Sequence, residues 1–523
     1  MTRAGSHQQP RHGAPAGAPG IRASSHAELG ADPRPAVGIA LWQQLAGVAS
    51  ALQAIRAGQS GTAALAAVDS GLRPGVQALL FQVLRSLGRA EALRRKLVSR
   101  APPPAADALL CAALALSWQP EVAPYEPFTL VNQAVEAAKR SVATRAQASF
   151  VNACLRRFLR ERDALVAATD ADPVARWNHP LWWVKKLQND HPTHWEQILQ
   201  ANNAHAPMIL RVNASKGTVA QYQKALAAMN VDSSSVGEHG LILQQPLPVT
   251  ELPGFAQGMV SVQDAAAQLA APLLLQGLDL TQPLRVLDAC AAPGGKTAHL
   301  LEYAGPSSAM QVTALEVDSV RSARIHETLH RIGLHAQVLV ADAARPQDWW
   351  QQHCAGVPFD AILLDAPCTA SGIVRRHPDV RWLRRETDIA QLAVQQARLL
   401  RALWPLVRPG GRLLYCTCSV FRAEGDAQVQ TFLAHHTDAR LLPSPGHLLP
   451  GNDTNHRAVP DNAAGEHDGF FYALLQKAPG WAPHGSLGLV VGDGLAVVAG
   501  LASECAGAVS GERGGGPRPG AGR

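Results

Sequence analysis

Apolar residues between positions 38 and 170 recur at intervals of three and four, and Ala and Leu dominate this stretch. That period places apolar side chains on one face of a helix. The clearest helices are predicted over Gly75–Leu87 and Val131–Leu159. Prolines cluster at Pro102–Pro104 and Pro120–Pro127, between the predicted helices, where a fixed φ and a missing N–H are tolerated. The pattern therefore predicts an all-helical domain over residues 38–170.

Helices and strands are mixed from residue 171 to residue 260. Trp182–Leu199 and Thr218–Met229 have the helical period, whereas Met208–Val212 and Gly240–Leu243 are short apolar runs typical of strands. We interpret this region as a small α/β linker module. From residue 261 to residue 477, predicted strands and helices alternate regularly, which predicts a doubly wound, Rossmann-like α/β domain with a parallel sheet.

The two ends of the chain have no hydrophobic period. Residues 1–37 are rich in Gly, Ala, Pro, His and Ser, and residues 478–523 end in GERGGGPRPGAGR. We expect both to be low-complexity tails, the first of them disordered. The remaining length suits about three domains. The formal net charge of +6 and the pI of about 9.0 are compatible with a polyanionic partner without establishing one.

The eight cysteines form no CxxC pair and no Cys/His cluster with zinc spacing. We therefore expect neither a disulfide framework nor a metal site, and we expect a reducing compartment such as the cytoplasm. No signal peptide is recognisable, and the most apolar stretches, such as Ala106–Trp118, are too short to cross a bilayer. Secreted and membrane classes are accordingly not expected.

A small-residue turn follows the first predicted strand of the Rossmann-like domain. The strand Leu284–Leu287 runs into DACAAPGGKT at positions 288–297, after which a helix begins. This arrangement directs backbone N–H groups towards a ligand, and glycines allow the ligand to approach closely. The turn is neither GxGxxG nor a Walker A loop, which disfavours an NAD-dependent oxidoreductase and a P-loop NTPase.

Acidic residues follow each of the next three predicted strands. The strands Met310–Leu315, Ala336–Val340 and Phe359–Leu364 are followed by Glu316, Asp342 and Asp365, respectively. Because the carboxyl ends of parallel strands meet at one edge of the sheet, these acids and Asp288 predict a site for a nucleoside-containing cofactor. Glu316 is placed to accept hydrogen bonds from ribose hydroxyls.

Two cysteines follow strands at the same predicted edge. Cys368 comes three residues after Asp365, and Cys418 lies in the segment YCTCS at positions 415–419. A lone buried cysteine is usually a small apolar residue. Two cysteines at the ligand edge, one of them beside an aspartate, instead indicate a thiolate nucleophile and covalent catalysis.

The motifs DACAAPGGKT, ILLDAPCTASG, YCTCS and HDGFF together resemble those of the RNA cytosine-5 methyltransferases. SGIVRRHPDVRWLR at 371–384 and VNACLRRF at 151–158 narrow the resemblance to the Sun/RsmB type, which modifies small-subunit ribosomal RNA and carries a NusB-like helical domain in front. The resemblance spans about residues 38–477.

The resemblance implies S-adenosylmethionine as the cofactor and C5 of a cytosine in 16S RNA, the family's cytosine 967, as the target. It implies Cys418 as the nucleophile, Cys368 as the residue of product release, and Asp365 as a contact of both base and cofactor. The cofactor-binding residues that it implies are Cys290, Ala291, Ala292, Pro293, Gly294, Gly295, Lys296, Glu316, Asp342 and Asp365. The family more often has Asp where this chain has Glu316, and a small residue where it has Cys416, which we interpret as a packing residue.

A basic segment follows the first of the two cysteines. Its arginines are Arg375, Arg376, Arg381, Arg384 and Arg385. So many cations in a short span predict contact with RNA phosphates. Together with these cations, the resemblance implies 16S ribosomal RNA as the partner, unassembled or in a partly assembled small subunit, and we expect no membrane partner.

Three other functions stay open at this point. One is the same chemistry on another RNA such as transfer RNA, against which the helical domain argues only by analogy. Another is a nonenzymatic NusB-like RNA-binding protein with a degenerate sheet. The intact set Cys368, Cys418 and Asp365 favours the enzyme over it. The third, an oxidoreductase, is disfavoured by the turn sequence.

Overall fold

The computed structural model describes residues 38–451 and 466–480. The tails predicted over 1–37 and 478–523 lie outside these residues, except for 478–480. In the described part of the chain, no helix is long and apolar enough to span a membrane. Nor does any group of three or more His, Cys, Asp or Glu residues in that part have the arrangement of a metal site.

Seven helices form the first region. They are α1 (Leu41–Arg56), α2 (Gly61–Ala66), α3 (Arg73–Leu84), α4 (Leu87–Leu97), α5 (Pro104–Ala115), α6 (Pro127–Arg140) and α7 (Ala148–Ala167). The single helix predicted over Val131–Leu159 is wrong, because the chain breaks between α6 and α7. The buried Thr144 Oγ1 donates to the Ala138 carbonyl oxygen at 2.9 Å and caps the end of α6. The apolar period continues on both sides of this break, so it does not reveal it.

The middle region combines helices with a small antiparallel sheet. Its elements are α8 (Pro173–Trp177), α9 (Leu181–Asp190), α10 (Trp195–Asn203), β1 (Met208–Val212), α11 (Val219–Ala227), β2 (Ser233–Val236), β3 (Gly240–Leu243) and β4 (Val260–Val262). The strand order is β2-β3-β1-β4. The helix predicted over Trp182–Leu199 is interrupted at His191, because Pro192 cannot supply a helical N–H.

The last region is built on a seven-stranded sheet. Its elements are α12 (Ala270–Leu275), β5 (Arg285–Ala289), α13 (Gly295–Ala304), β6 (Gln311–Glu316), α14 (Ser319–Ile332), β7 (Gln337–Val340), α15 (Trp350–Cys354), β8 (Phe359–Asp365), α16 (Val380–Leu383), α17 (Glu386–Leu403), β9 (Val407–Thr417), α18 (Asp426–His435), β10 (Ala439–Leu448) and β11 (Phe470–Lys477). The strand order is β10-β11-β9-β8-β5-β6-β7.

Five of these strands, β5 to β9, run parallel to one another, as predicted for a Rossmann-like sheet. The sheet is nevertheless mixed, because β11 pairs antiparallel with both β9 and β10. The prediction of a wholly parallel sheet was therefore too simple. β11 lies between β9 and β10, and an antiparallel strand needs no helical crossover to reach its neighbour, so the alternation of helices and strands does not reveal its direction.

Both faces of the large sheet are covered. Val286 packs with Leu274 of α12 on one face, while the next residue, Leu287, contributes to the cluster that includes Leu400 of α17 on the other. Successive residues of a strand point to opposite faces, so a strand buried on both sides reads as a continuous apolar run. This packing leaves the carboxyl edge of the parallel strands as the place where polar side chains collect.

Candidate active site

The turn after β5 has the conformation of a tight ligand cradle. Cys290 and Gly294 have left-handed backbone angles, with φ of 65° and 94°, and α13 begins at Gly295. A Cβ atom on Gly294 would lie 3.0 Å from the Cα atom of Ile325, so a side chain there would strain both the backbone and the packing. Left-handed angles at a residue other than Gly, as at Cys290, are concentrated at functional sites.

Two buried carboxylates close to this turn, Asp288 and Glu316, each have one oxygen that accepts no hydrogen bond from the described residues. Thr297 Oγ1 donates to Asp288 Oδ2 at 2.6 Å, whereas Asp288 Oδ1 accepts no hydrogen bond from the described residues. Burial raises the pKa of Asp288 to about 7, although the hydrogen bond from Thr297 acts in the opposite direction. A buried polar atom without a partner is unfavourable, so these sites are suited to a ligand that donates hydrogen bonds.

Glu316 stands at the end of β6 and is 2% exposed. Its Oε1 accepts a hydrogen bond from the Asp318 backbone N–H at 3.1 Å. Its Oε2 is buried and accepts no hydrogen bond from the described residues, with Arg321 Nη2 at 3.4 Å. A buried carboxylate oxygen in this state fits the hydroxyl donors of a ribose.

Asp342 follows β7 and is more open. Its Oδ1 accepts from the Ala344 backbone N–H at 2.9 Å, and its Oδ2 lies 3.2 Å from Arg398 Nη2. The side chain is 38% exposed and thus remains accessible to a ligand at the same edge of the sheet.

Lys296, at the start of α13, reaches across to the end of β8. Its Nζ donates to Asp365 Oδ2 at 2.7 Å. Burial alone would lower the pKa of Lys296, but the Asp365 carboxylate outweighs burial and raises that pKa above its ordinary value. The ion pair joins the turn after β5 to the strand end that precedes Cys368.

The structure brings Cys368 and Cys418 together. Their Sγ atoms are 3.4 Å apart. The hydrogen bond between the two thiols, followed by burial, raises the pKa of Cys368 well above its ordinary value. Either sulfur atom can act as the donor in this contact, which holds the two thiols against each other.

Cys416 belongs to the packed interior, as predicted. It is fully buried in β9, where Asp365 is its partner in the neighbouring strand, and its Sγ donates to Asp365 Oδ1 at 3.5 Å. Burial, followed by the charge of Asp365, raises its pKa well above the ordinary value. A buried thiol held protonated in this way is a poor nucleophile.

A buried carboxylate that no sequence motif indicates, Glu424, lies beside the two cysteine loops. Glu424 accepts from the backbone N–H of Thr369 at 2.9 Å and from its hydroxyl at 2.5 Å. It also accepts from Ser419 Oγ at 2.6 Å. Thr369 follows Cys368 and Ser419 follows Cys418, so a single carboxylate ties together the two loops that carry the thiols. A Glu in a polar stretch such as FRAEGD normally faces solvent, which is why the sequence did not single it out.

Replacement of Glu424 by Ala should lower kcat at least about 10-fold with little change in KM for RNA, because the two cysteine loops lose their common anchor. We also expect a loss of stability of about 1–3 kcal/mol for each hydroxyl or N–H left without an acceptor. Single-turnover methyl transfer, measured below the unfolding temperature of the variant, checks the first effect. Asp426→Asn, which changes a carboxylate paired with the exposed Arg422, is the control. An unaltered kcat in Glu424→Ala would remove its positioning role.

Three arginines of the basic segment after Cys368 are not on the surface, where an RNA-contacting loop requires them. Arg375 and Arg376 are buried or nearly so, and each donates through Nε to Asp468, at 2.6 and 2.5 Å. Arg376 Nη2 also lies 2.9 Å from Asp264 Oδ2. These guanidinium groups hold the fold together, so their charge is not available at the surface for RNA phosphates.

Arg381 is fully buried and donates to the carbonyl oxygens of Asn178 and Asn202 and to the side chain of Asn203. It too is structural. Arg384 is half-buried and donates to the carbonyl oxygens of Cys368 and Thr369, at 3.3 and 3.0 Å, whereas Arg385 is 83% exposed. Of the five arginines, only Arg384 and Arg385 keep the position expected of RNA contacts.

Each of the three regions of the chain matches a known protein family. A family model described as 16S rRNA methyltransferase RsmB/F matches residues 275–476, a RsmF/B-like ferredoxin-like domain matches residues 179–250, and the NusB family matches residues 43–160. The chain is 41% identical over 445 residues to the ribosomal RNA small subunit methyltransferase B of Vibrio cholerae, with 83% of this chain and 97% of the relative covered. The chain belongs to this methyltransferase B family.

Other similarities agree with this membership. The methyltransferase B of Pseudomonas syringae pv. tomato is 41% identical over 415 residues, which cover 78% of this chain and 89% of the relative. Among solved structures, the crystal structure of PH0851 superposes with a TM-score of 0.63 at 25% identity, covering 83% of this chain and 99% of that one. The predicted family, the Rossmann-like fold and the NusB-like helical domain are thereby confirmed. As a member of the methyltransferase B family, the chain is a methyltransferase of small-subunit ribosomal RNA.

Proposed function

We propose that this methyltransferase transfers a methyl group from S-adenosylmethionine to C5 of a cytosine in 16S ribosomal RNA, cytosine 967 being the position that the family resemblance implies. The observation that carries the proposal is the pair of thiols, Cys368 and Cys418, at 3.4 Å on the sheet edge that also holds the cradle after β5. Methyl transfer to a nitrogen or to a hydroxyl needs no thiol nucleophile, whereas methylation at a pyrimidine carbon does.

The chemistry of cytosine supplies the reason. C5 of the ring is a poor nucleophile. Addition of a thiolate to C6 converts C4–C5–C6 into an enamine-like system, in which C5 is activated towards a methyl electrophile. We assign the addition to Cys418. We assign Asp365, at the end of β8, to N3 of the ring, to which its carboxyl group donates a proton as the thiolate adds to C6 and so favours the adduct.

The adduct must then be resolved. C5 loses its proton to a base, and the carbon–sulfur bond at C6 breaks as the thiolate departs. We assign Cys368 to this release, because its thiol lies against the sulfur atom that leaves. A hydrogen-bond donor next to a departing thiolate stabilises its charge.

S-Adenosylmethionine supplies the methyl group on a sulfonium centre. The residues that would hold it are the cradle Cys290–Lys296 together with Glu316, Asp342 and Asp365. The fit rests on the left-handed turn at Cys290 and Gly294 and on the buried Glu316 Oε2, which accepts no hydrogen bond from the described residues. A cationic sulfonium also suits an edge of the sheet that carries several carboxylates.

The RNA must present an accessible base. C6 of a stacked and paired cytosine is shielded, so the target is expected in a loop or extruded from its helix. Arg384 and Arg385 follow the cysteine loop and are the arginines of the basic segment that we assign to RNA contact. A methyl-transfer assay with free 16S RNA and with partly assembled small subunits distinguishes the two forms of the substrate, because only the true substrate accepts methyl groups.

Bisulfite sequencing of ribosomal and transfer RNA tests the proposed function. RNA from cells that lack this protein should lose one protected cytosine in 16S RNA, and the wild-type gene should restore it. A gene carrying Cys418→Ala should not restore it. Loss of protection in a transfer RNA, with 16S RNA unchanged, would assign the chemistry to a different substrate.

Glu316→Ala should weaken S-adenosylmethionine binding about 10-fold or more, since a hydrogen bond to a charged group contributes about 1.5–3 kcal/mol. Calorimetry on the purified protein measures the dissociation constant directly. Glu316→Asp, which keeps the charge and shortens the side chain by one methylene group, should retain most of the affinity. Equal affinity in wild type and Glu316→Ala would exclude Glu316 from the cofactor site.

A further inference from the structure

A cleft of about 590 Å³ lies among the helical region, the middle region and the basic segment after Cys368. Five arginines and one histidine line it: Arg85, Arg89, Arg176, His205, Arg375 and Arg376. No Asp or Glu among residues 38–451 and 466–480 contributes to its walls. A concave surface with cationic walls concentrates a field that attracts anions.

Three of the five cleft arginines already form ion pairs with carboxylates that do not line the cleft. Asp468 and Asp264 pair with Arg375 and Arg376, and Asp170 pairs with Arg89. The cleft therefore depends on the two arginines that remain.

Arg85 and Arg176 have no carboxylate of the described residues within the 4.0 Å of an ion pair. Arg85 donates through Nη2 to the Arg375 carbonyl oxygen at 2.7 Å, and its Nε has no hydrogen-bond partner in the described part of the chain. Burial lowers its pKa to about 10, which leaves it protonated at neutral pH. Arg176 is exposed and lies over the Trp177 ring, 5.0 Å from its centroid. A partly buried cation without a counterion, such as Arg85, is unfavourable until an anion binds, whereas the exposed Arg176 adds a charge that is free to contact the same anion.

The cleft also offers aromatic and amide groups. Phe81 and Trp118 line it and are partly exposed, and Gln119 adds a polar side chain. Arginine next to aromatic rings is the combination that binds single-stranded nucleic acid, since phosphates contact the cations and bases stack on the rings. An acidic protein segment would use the charge but not the rings.

The cleft is connected to the cysteine loops through the backbone. The Gly372 N–H donates to the Cys418 carbonyl oxygen at 2.9 Å, and Arg375, three residues later, forms part of the cleft wall. Three residues span at most about 11 Å. A strand that occupies the cleft thus passes within a few nucleotides of the thiols.

We propose that this cleft binds a single-stranded segment of the RNA next to the target nucleotide, with Arg85 and Arg176 contacting its phosphates. The identity of that RNA as 16S rests on the proposed function. The cleft positions the substrate and takes no part in the covalent chemistry.

The test compares two double variants of the full chain. Arg85→Ala/Arg176→Ala removes the unpaired cations of the cleft. Arg100→Ala/Arg160→Ala removes the same charge from exposed positions of the helical region that do not line the cleft. Binding to a 16S RNA transcript is measured over a range of salt concentrations, together with S-adenosylmethionine affinity and kcat at saturating RNA. Arg176→Ala alone is the second variant if the loss of Arg85 destabilises the fold.

The cleft variant should bind RNA several-fold more weakly, and the slope of log Kd against log salt should fall by about 0.7 for each lost phosphate contact. The control should keep the wild-type slope and kcat, and both variants should retain cofactor affinity. Equal slopes in the two double variants would overturn the cleft as an RNA site. Tight RNA binding through the cleft without methyl transfer would instead overturn the proposed function alone.

Discussion

Cys368→Ala should accumulate protein covalently linked to RNA, whereas Cys418→Ala should be inactive and form no such complex. The first variant can still add its Cys418 thiolate to C6 and pass the methyl group to C5, but it lacks the thiol that lies 3.4 Å from the departing sulfur. The second variant cannot form the bond at all, so its activity should fall by several orders of magnitude. Denaturing gel electrophoresis after incubation with RNA and S-adenosylmethionine separates the two outcomes.

Cys416→Ala is the matched control for this pair. Its sulfur is buried in β9 only two residues from Cys418, and its removal should reduce stability by about 1 kcal/mol and leave methyl transfer intact. A trapped complex in Cys418→Ala, with none in Cys368→Ala, would reverse the two roles. Inactivity of a folded Cys416→Ala would make Cys416 the nucleophile.

Asp468→Ala should destabilise the protein by about 3–5 kcal/mol, because it removes the nearer of the two carboxylates that the buried Arg375 and Arg376 share and leaves only Asp264 between them. Asp348→Ala is the surface control. Asp348 pairs with the exposed Arg345, and such pairs contribute at most about 1 kcal/mol. Unfolding by urea measures both free energies.

The same cluster has a defined pH dependence. Burial alone would raise the pKa of Asp468, but the two arginines outweigh it and lower that pKa below the ordinary value. The contribution of Asp468 to stability is therefore present at neutral pH and is lost as the pH falls through its folded-state pKa. Asp468→Asn should remove this acid-side loss. A Asp468→Ala variant as stable as the surface control would mean that the arginines find other partners or water.

The gathering of polar side chains at the carboxyl edge of the large sheet was predictable because it follows from chain connectivity alone. Parallel strands present their carboxyl ends at one edge, so Glu316, Asp342, Asp365 and Cys368 had to converge once their strands were recognised. The apolar runs of β5, β6 and β8 are strong signals, since those strands are buried on both faces of the sheet. The placement of Cys416 in the interior also followed from its strand.

The basic segment shows what the sequence left undetermined. Whether an arginine faces RNA or a buried acid depends on which distant residue folds against it. Asp468 lies more than ninety positions after Arg375, and Asp264 more than a hundred before it. The sequence shows how many charged residues a segment carries, but it does not show which of them form ion pairs in the folded protein. The role of Glu424 was not predictable for the same reason. Its hydrogen-bond donors, Thr369 and Ser419, follow two different strands, β8 and β9.

Tritium release from RNA labelled at C5 of cytosine is the most direct test of the central claim, carbon methylation through a Cys418 adduct. Replacement of the C5 hydrogen by a methyl group must expel that hydrogen to water. With wild-type protein, 16S RNA and S-adenosylmethionine, one tritium should be released for each methyl group transferred, and Cys418→Ala should release none. Methyl transfer without tritium release would place the methyl group on another atom and contradict the account.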